Sequence, residues 1–113
     1  MSAITTHVLD TARGRPASGI PVQLKVRDGE SWRDVGNGVT DADGRQRSLM
    51  PAAAPLMSGV YRLVFDTAGY FRGLAPAPFY PRIIVEFTVA EGESHYHVPL
   101  LLSPFGYSTY RGT

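Results

Sequence analysis

The chain contains 113 residues, of which 43% are hydrophobic and 19% charged, and its eleven basic and ten acidic side chains leave a formal net charge of +1. This length and composition predict one globular domain over residues 1–113 and exclude a disordered chain. Because the positive charges are scattered among acidic ones, nothing predicts a nucleic acid or an anionic membrane as a partner.

The absence of cysteine excludes disulfides, thiolate metal sites and a cysteine nucleophile. No apolar run approaches the ~20 residues needed to cross a bilayer. Residues 1–7 have neither the basic nor the apolar segment of a secretory signal. We therefore expect a cytoplasmic location.

The predicted elements are mostly short strands, since glycine and proline are abundant and helical periodicity is rare. The single predicted helix covers residues 67–74, with Asp66 or Thr67 as its N-cap. Turn residues at 14–16, 37–38, 41–44 and 91–92 separate the strands. This pattern predicts an all-β sandwich with one short helix. In chain order, the predicted strands are residues 4–9, 22–26, 31–35, 60–65, 82–89, 95–102 and 107–111.

Two features of the last predicted strands favour an oligomer. Three consecutive leucines, Leu100, Leu101 and Leu102, place large apolar groups on both faces of one strand. One face can meet the core, and a partner subunit would cover the other. Residues 105–113 are rich in aromatic side chains, whereas most chain ends are polar and frayed. These residues are therefore expected to be docked rather than loose.

Histidine is the candidate residue for proton transfer, because its unperturbed pKa of ~6.5 lies near neutrality. His95 and His97 are two residues apart, so their side chains share one face of a strand. The position of His95 directly after a turn favours an exposed polar residue. His97 lies beside the leucine run, where it could equally be a catalytic group or a solvated strand residue.

His7 and Arg45 are candidates with simpler alternatives. The direction of His7 cannot be decided from its mixed neighbourhood, and a surface or hydrogen-bonded core histidine would suit the pattern. The three histidines together could also form a zinc site with an open fourth position. Arg45 leaves the turn at 41–44, where its fork of donors could clamp an anion or a planar amide. A solvated turn residue is the alternative.

Several segments together resemble the transthyretin-like 5-hydroxyisourate hydrolases. The opening Ile-Thr-Thr-His-Val-Leu-Asp-Thr-Ala and the internal Thr-Asp-Ala-Asp-Gly-Arg are similar to motifs of that family. The most specific similarity is the end of the chain, where His-Tyr-His-Val-Pro-Leu-Leu-Leu-Ser-Pro is followed by a closing Tyr-Arg-Gly-Thr. The resemblance covers essentially the whole sequence, at residues 4–24, 40–45, 79–81, 95–104 and 107–113.

The resemblance implies a fold, an assembly and a reaction. The fold would be a transthyretin-like (prealbumin-like) β-sandwich of two four-stranded sheets with one short helix. The assembly would be a homotetramer, a dimer of dimers with active sites at the dimer–dimer interface. The reaction would open the N1–C6 amide of 5-hydroxyisourate, a step of urate breakdown, to give 2-oxo-4-hydroxy-4-carboxy-5-ureidoimidazoline. Neither a cofactor nor a metal would be required.

The resemblance also carries specific roles. His7, Arg45 and His97 would be catalytic, with Arg45 stabilising the oxyanion. Water activation is assigned to His7, and proton relay to the leaving nitrogen is assigned to His97. The Thr113 hydroxyl or the terminal carboxylate would hold substrate or water, where the family usually has serine. Phe105 replaces the tyrosine of many relatives. The predicted substrate-binding residues are Tyr110, Arg111, Gly112 and Thr113.

Three other functions are compatible with a β-sandwich of this size. The first is a small-ligand carrier like vertebrate transthyretin, although that branch of the family lacks the two histidines, the internal arginine and the closing tetrapeptide. The second is a non-catalytic interaction module, which would be inactive and monomeric. The third is a zinc-dependent hydrolase, which would lose activity with a chelator.

Overall fold

A computed structural model of the protein describes residues 2–74 and 76–113. It contains nine strands and one helix within these residues, and it confirms the all-β sandwich that the sequence predicts. The strands are β1 (Ile4–Asp10), β2 (Arg15–Pro16), β3 (Pro21–Asp28), β4 (Ser31–Val39), β5 (Arg45–Gln46), β6 (Gly59–Asp66), β7 (Arg82–Val89), β8 (Tyr96–Ser103) and β9 (Gly106–Thr109), and the helix is α1 (Thr67–Phe71).

The two sheets differ in how they are connected. The first sheet has the order β2-β1-β8-β9, and the second has the order β4-β3-β6-β7. Within the first sheet β1 and β8 run parallel, whereas the second sheet is antiparallel throughout. The first sheet thus has the predicted path of four strands, and the two-residue β5 adds a short fifth strand beside β1. Both β2 and β5 fit on β1 because each pairs with only two of its residues.

The core lies between the two sheets and follows the alternation of the strands. Val22, Leu24 and Leu63 are fully buried on the inner face of the second sheet. Leu100 and Leu102 are buried on the inner face of the first sheet, whereas Leu101 points outward and is half-buried. The leucine run therefore serves both faces of β8, as its sequence predicts.

The predicted turn at Asn37 and Gly38 is wrong, because both residues lie inside β4. They pair with Gln23 and Val22 of β3. A Cβ atom at position 38 would lie 2.3 Å from the Gln46 amide nitrogen, so glycine here allows close packing of two chain segments. Close packing explains this glycine, and turn geometry does not.

The helix is shorter than predicted, and the two C-terminal strands begin or end one or two residues away from their predicted bounds. Helix α1 ends at Phe71 rather than at residue 74, and Gly73 follows with a positive φ of 78°. Asp66 occupies the N-cap position without a side-chain capping bond. Strand β8 begins at Tyr96, which leaves His95 just outside it, and β9 ends at Thr109. No helix in residues 2–74 and 76–113 is long and apolar enough to cross a membrane.

Candidate functional site

The parallel pairing of β1 with β8 brings distant parts of the sequence onto one face. Thr5 lies opposite His97 in this pair, and His7 lies opposite Pro99. On its other edge, β1 pairs with β5, where His7 lies opposite Arg45. Paired residues share a face of the sheet. The three predicted catalytic side chains therefore stand on three neighbouring strands, on the outer face of the first sheet.

A cavity of about 420 Å³ opens on this face. Its lining is rich in nitrogen donors, with two guanidinium groups and two imidazole rings. Such a lining suits a polar, electron-rich guest such as an anion or an amide carbonyl. The residues that form it are Thr5, Thr6, Arg45, Arg47, His95, His97 and Thr113.

Arg45 is positioned by the turn that precedes it. The Asp41 carboxylate accepts hydrogen bonds from the backbone amides of Asp43 and Arg45, both at 2.9 Å. The hydrogen bond from the Arg45 backbone amide is the main cause that lowers the pKa of Asp41 below its usual 3.8. Gly44 has a positive φ of 78° within the turn and packs against the Val8 carbonyl, which leaves no room for a Cβ. The turn thus fixes Arg45 at the start of β5, where it pairs with His7 of β1.

His97 is half-buried and hydrogen-bonded to the neighbouring strand. Its Nδ1 lies 2.8 Å from the Thr5 hydroxyl oxygen. Burial lowers the pKa of His97 below its ordinary 6.5, and the positive charges of Arg45, His7 and His95 lower it further, while a bond to the Thr5 backbone carbonyl opposes the shift. His97 is therefore a neutral ring at pH 7 and can accept a proton.

His7 has a different environment from His97. Its Nε2 donates a hydrogen bond to the Asp43 carbonyl at 2.8 Å, and since a carbonyl only accepts, Nε2 is protonated. His7 is near enough to His97 to influence its charge, yet it does not line the cavity. Its ring ties β1 to the turn that carries Arg45.

The four predicted substrate-binding residues divide between two places. Thr113 lines the cavity with His97, and the Gly112 amide donates to the His97 carbonyl at 2.7 Å. Tyr110 and Arg111 line a separate, mainly apolar cavity of about 240 Å³ between the edges of β7 and β8. The Arg111 guanidinium lies 4.4 Å from the centre of the Tyr96 ring. Arg111 therefore anchors the segment that holds Gly112 and Thr113 at the site.

Four lining residues were not among the predicted site residues, namely Thr5, Thr6, Arg47 and His95. Thr5 lies two residues before His7, and Arg47 lies two residues after Arg45. Strand alternation places each of these pairs on one face and would have identified both residues. His95, which its position favoured as an exposed polar residue, is half-buried and lies 3.4 Å from the Thr5 hydroxyl oxygen.

The three histidines do not form the arrangement that a zinc site needs. In the part of the chain that the structure describes, no group of three or more histidine, aspartate or glutamate side chains is placed to hold a metal ion. The Nε2 atom of His7 is already engaged by a carbonyl. The geometry therefore offers hydrogen-bonding and proton-transfer groups at this face.

Comparison with known sequences gives a consistent set of relatives. The HIUase/Transthyretin family matches residues 4–112. A 5-hydroxyisourate hydrolase of Deinococcus radiodurans is 45% identical over 113 residues, covering 97% of this chain and 95% of the relative. A 5-hydroxyisourate hydrolase of Caulobacter vibrioides is 44% identical and aligns over 100% of both chains.

Solved structures with the same fold include both branches of that family. The 5-hydroxyisourate hydrolase of Klebsiella pneumoniae has a TM-score of 0.82 and 40% identity, with 100% of each chain covered. Transthyretin of Sparus aurata has a TM-score of 0.87 and 33% identity, covering 99% of this chain and 97% of its own. The backbone is thus similar in both branches, while sequence identity is higher to the hydrolases.

Proposed function

Because the chain belongs to the HIUase/Transthyretin family, we propose that it opens the ring of 5-hydroxyisourate by hydrolysis, as an enzyme of urate breakdown. Relatives that are 44% to 46% identical over 97% or more of the chain are 5-hydroxyisourate hydrolases, which makes this chain a hydrolase. The observation that carries the proposal is the single cavity in which Arg45, His97 and Thr113 meet.

The proposed reaction needs three catalytic functions from the site: a base, a donor to the oxyanion and a proton donor to the leaving nitrogen. Water adds to the C6 carbonyl of the N1–C6 amide, which requires a base to take its proton. The carbonyl oxygen then carries negative charge and requires a donor. The C–N bond breaks as N1 accepts a proton, and the product is 2-oxo-4-hydroxy-4-carboxy-5-ureidoimidazoline.

In this proposal His97 activates the water. Its ring is neutral at pH 7 and lines the cavity, and the protonated ring can then return the proton to the departing nitrogen. The sequence-based prediction gave water activation to His7 and proton relay to His97. We move both steps to His97, because His7 lies outside the cavity and its Nε2 is engaged by Asp43.

Arg45 and its neighbours would bind the reacting group. The guanidinium of Arg45 presents several donors in one plane, which suits an oxyanion forming on a planar amide. Arg47 adds a second positive charge to the same lining, and Thr113 offers a hydroxyl to substrate or water. No cofactor enters this scheme, since water is the only co-reactant.

We further propose a homotetramer whose active sites lie at the dimer–dimer interface. The outer face of the first sheet carries the half-buried apolar side chains of Leu9 and Leu101 beside the catalytic groups. A second pair of subunits on this face would cover both the apolar groups and the open cavity. Sedimentation equilibrium measures the mass of the assembly, and a monomer with full activity would contradict this proposal.

The function is tested with 5-hydroxyisourate generated freshly by urate oxidase. Its ultraviolet absorbance is followed with and without the protein, and the product is identified by NMR. We expect decay far above the spontaneous rate, unchanged by a chelator. Decay at the spontaneous rate from a folded protein would contradict the hydrolase and would direct attention to ligand binding on the same face.

The dependence of kcat/KM on pH follows from the lowered pKa of His97. A base acts only when unprotonated, so activity is lost as the pH falls through its pKa. Since burial and Arg45 lower that pKa, the half-maximal point should lie below pH 6.5. In Arg45→Gln the acid limb should move to higher pH, because a neighbouring positive charge is lost. A half-maximal point above 6.5 in the wild type would contradict this assignment.

Gly112→Ala should reduce activity through the His97 ring. A Cβ at position 112 would lie 2.8 Å from the His97 Cδ2 atom and 3.3 Å from the Pro99 Cγ atom, so the ring must move. We expect kcat to fall by about tenfold or more, because sub-ångström placement matters for catalysis. Gly106→Ala is the matched control, since its nearest contact would be 3.8 Å away. Equal kcat values for the two variants would refute the steric argument.

A further inference from the structure

Thr5 is hydrogen-bonded through its side chain to His97, the proposed base. It lies directly opposite His97 in the parallel pair of β1 and β8, on the same outer face. Its side chain is buried, with 3% of the residue exposed, and its hydroxyl oxygen lies 2.8 Å from the His97 Nδ1. This distance is that of a well-formed hydrogen bond.

The contact is made by Nδ1, the ring nitrogen on the side of Thr5. A threonine hydroxyl can accept as well as donate, so it accepts from Nδ1 when that nitrogen carries the proton. A neutral ring protonated at Nδ1 keeps a lone pair on Nε2, the form that a base facing the cavity requires.

The Thr5 hydroxyl has a second partner, which can accept its proton. The His95 Nε2 lies 3.4 Å from the same oxygen. If Nδ1 of His97 donates to Thr5, the hydroxyl proton is free to point toward His95. Thr5 then accepts from one histidine and donates to the other, which fixes the rotation of its hydroxyl between them.

The next residue shows what a purely structural threonine does in this strand. Thr6 is fully buried, and its hydroxyl donates to the Val98 carbonyl at 2.6 Å, which ties β1 to β8. Among the residues that the structure describes, the Thr5 hydroxyl contacts only histidine ring nitrogens. The Thr6 hydroxyl thus stabilises the pairing of β1 with β8. The Thr5 hydroxyl makes no such bond to the backbone of β8 and instead contacts the histidine rings.

We propose that Thr5 is a positioning residue that holds the His97 ring with Nδ1 protonated and Nε2 available to the substrate. The inference rests on the proposed hydrolase function for its kinetic consequence, but the state of the ring is a property of the protein alone. Removal of the hydroxyl would leave the ring free to rotate and to exchange its tautomers, which lowers the fraction of productive complexes.

The kinetic test compares Thr5→Val, which replaces the hydroxyl with a methyl group, with Thr5→Ser, which retains it. We expect kcat to fall by about tenfold or more in Thr5→Val, with KM changed by less than about twofold, because the substrate contacts remain. Thr5→Ser should recover most of kcat. Wild-type kcat in Thr5→Val, or an equal loss in both variants, would overturn the proposal.

Thr67→Val is the matched control for loss of stability. Thr67 is also fully buried, and its hydroxyl donates to the Tyr80 carbonyl at 2.6 Å. It lies in α1, which contributes no residue to the lining of the cavity. We expect a lowered Tm in Thr67→Val with unchanged kcat. A fall in kcat equal to that of Thr5→Val would show that destabilisation alone explains the effect, which overturns the proposal.

Nitrogen-15 NMR of the histidine rings tests Thr5 independently of activity. At a pH where His97 is neutral, the wild type should show the Nδ1-protonated form, and Thr5→Val should show an increased share of the Nε2-protonated form. A wild-type His97 protonated at Nε2, or no change in Thr5→Val, would overturn the role of Thr5. A wild type without hydrolase activity would refute the proposed function, while these spectra would still decide the role of Thr5.

Discussion

His97→Ala is expected to lower kcat/KM for 5-hydroxyisourate by about 100-fold to 10,000-fold, the range that a general base contributes. The ring is the neutral proton acceptor in the cavity, and its pKa is lowered by burial and by neighbouring positive charges. The backbone bond between the His97 carbonyl and Gly112 does not depend on the side chain, so the fold should survive. The coupled ultraviolet assay measures the loss, after subtraction of the spontaneous decay.

Two controls separate lost chemistry from lost structure in His97→Ala. Circular dichroism and the mass of the assembly should match the wild type. Gln23→Ala, an exposed residue of β3 in the other sheet, should keep full activity, since Gln23 lies outside the cavity. Added imidazole should restore part of the rate by supplying the missing base. A folded His97→Ala protein with more than about a tenth of wild-type activity would remove His97 from the role of base.

Arg45→Ala is expected to lower kcat by about 100-fold to 1,000-fold, as the loss of one oxyanion donor does in other hydrolases. The turn that places Arg45 is fixed by backbone amides bonded to Asp41, so this turn should persist without the guanidinium. The loss should appear in kcat more than in KM, because the interaction strengthens as charge develops in the transition state.

Arg45→Lys distinguishes a donor from a charge. Lysine keeps the positive charge but cannot present two parallel donors, so we expect a loss of about tenfold or more. Arg27→Ala, an exposed arginine on β3 of the other sheet, is the control for removal of one positive charge and should have wild-type rates. Equal activity of Arg45→Lys and the wild type would show that Arg45 acts through charge alone.

Most strands could be predicted from the sequence, because the alternation of buried and exposed side chains is set by neighbouring residues. The alternation of Val22, Leu24 and Val26 and the β-branched residues of β7 report a pleated, half-buried backbone wherever the strand lies. The error at Asn37 and Gly38 has a non-local cause. Gly38 is required by Gln46, which approaches from a different strand, and a dipeptide typical of turns gives no sign of that contact.

The candidate site was predictable in its residues but less so in its arrangement. The resemblance supplied His7, Arg45 and His97, and the pairing of β1 with β8 and β5 places them on one face. The division of Arg111 from Thr113 could not be predicted, since two residues so close in sequence line different cavities only once the segment is anchored on Tyr96. The pKa of His97 likewise depends on charges from three separate strands and loops.

The parallel pair that builds the site also determines when the site can exist during folding. The Thr5–His97 contact joins residues that are 92 positions apart, and closing so long a loop costs more conformational entropy than closing a hairpin. The antiparallel second sheet needs no such closure between β3 and β4 or between β6 and β7. A partly folded chain can therefore have many of its strands and much of its core before His97 and Arg45 are brought together. Catalytic activity is thus a stricter measure of the native state than secondary-structure content.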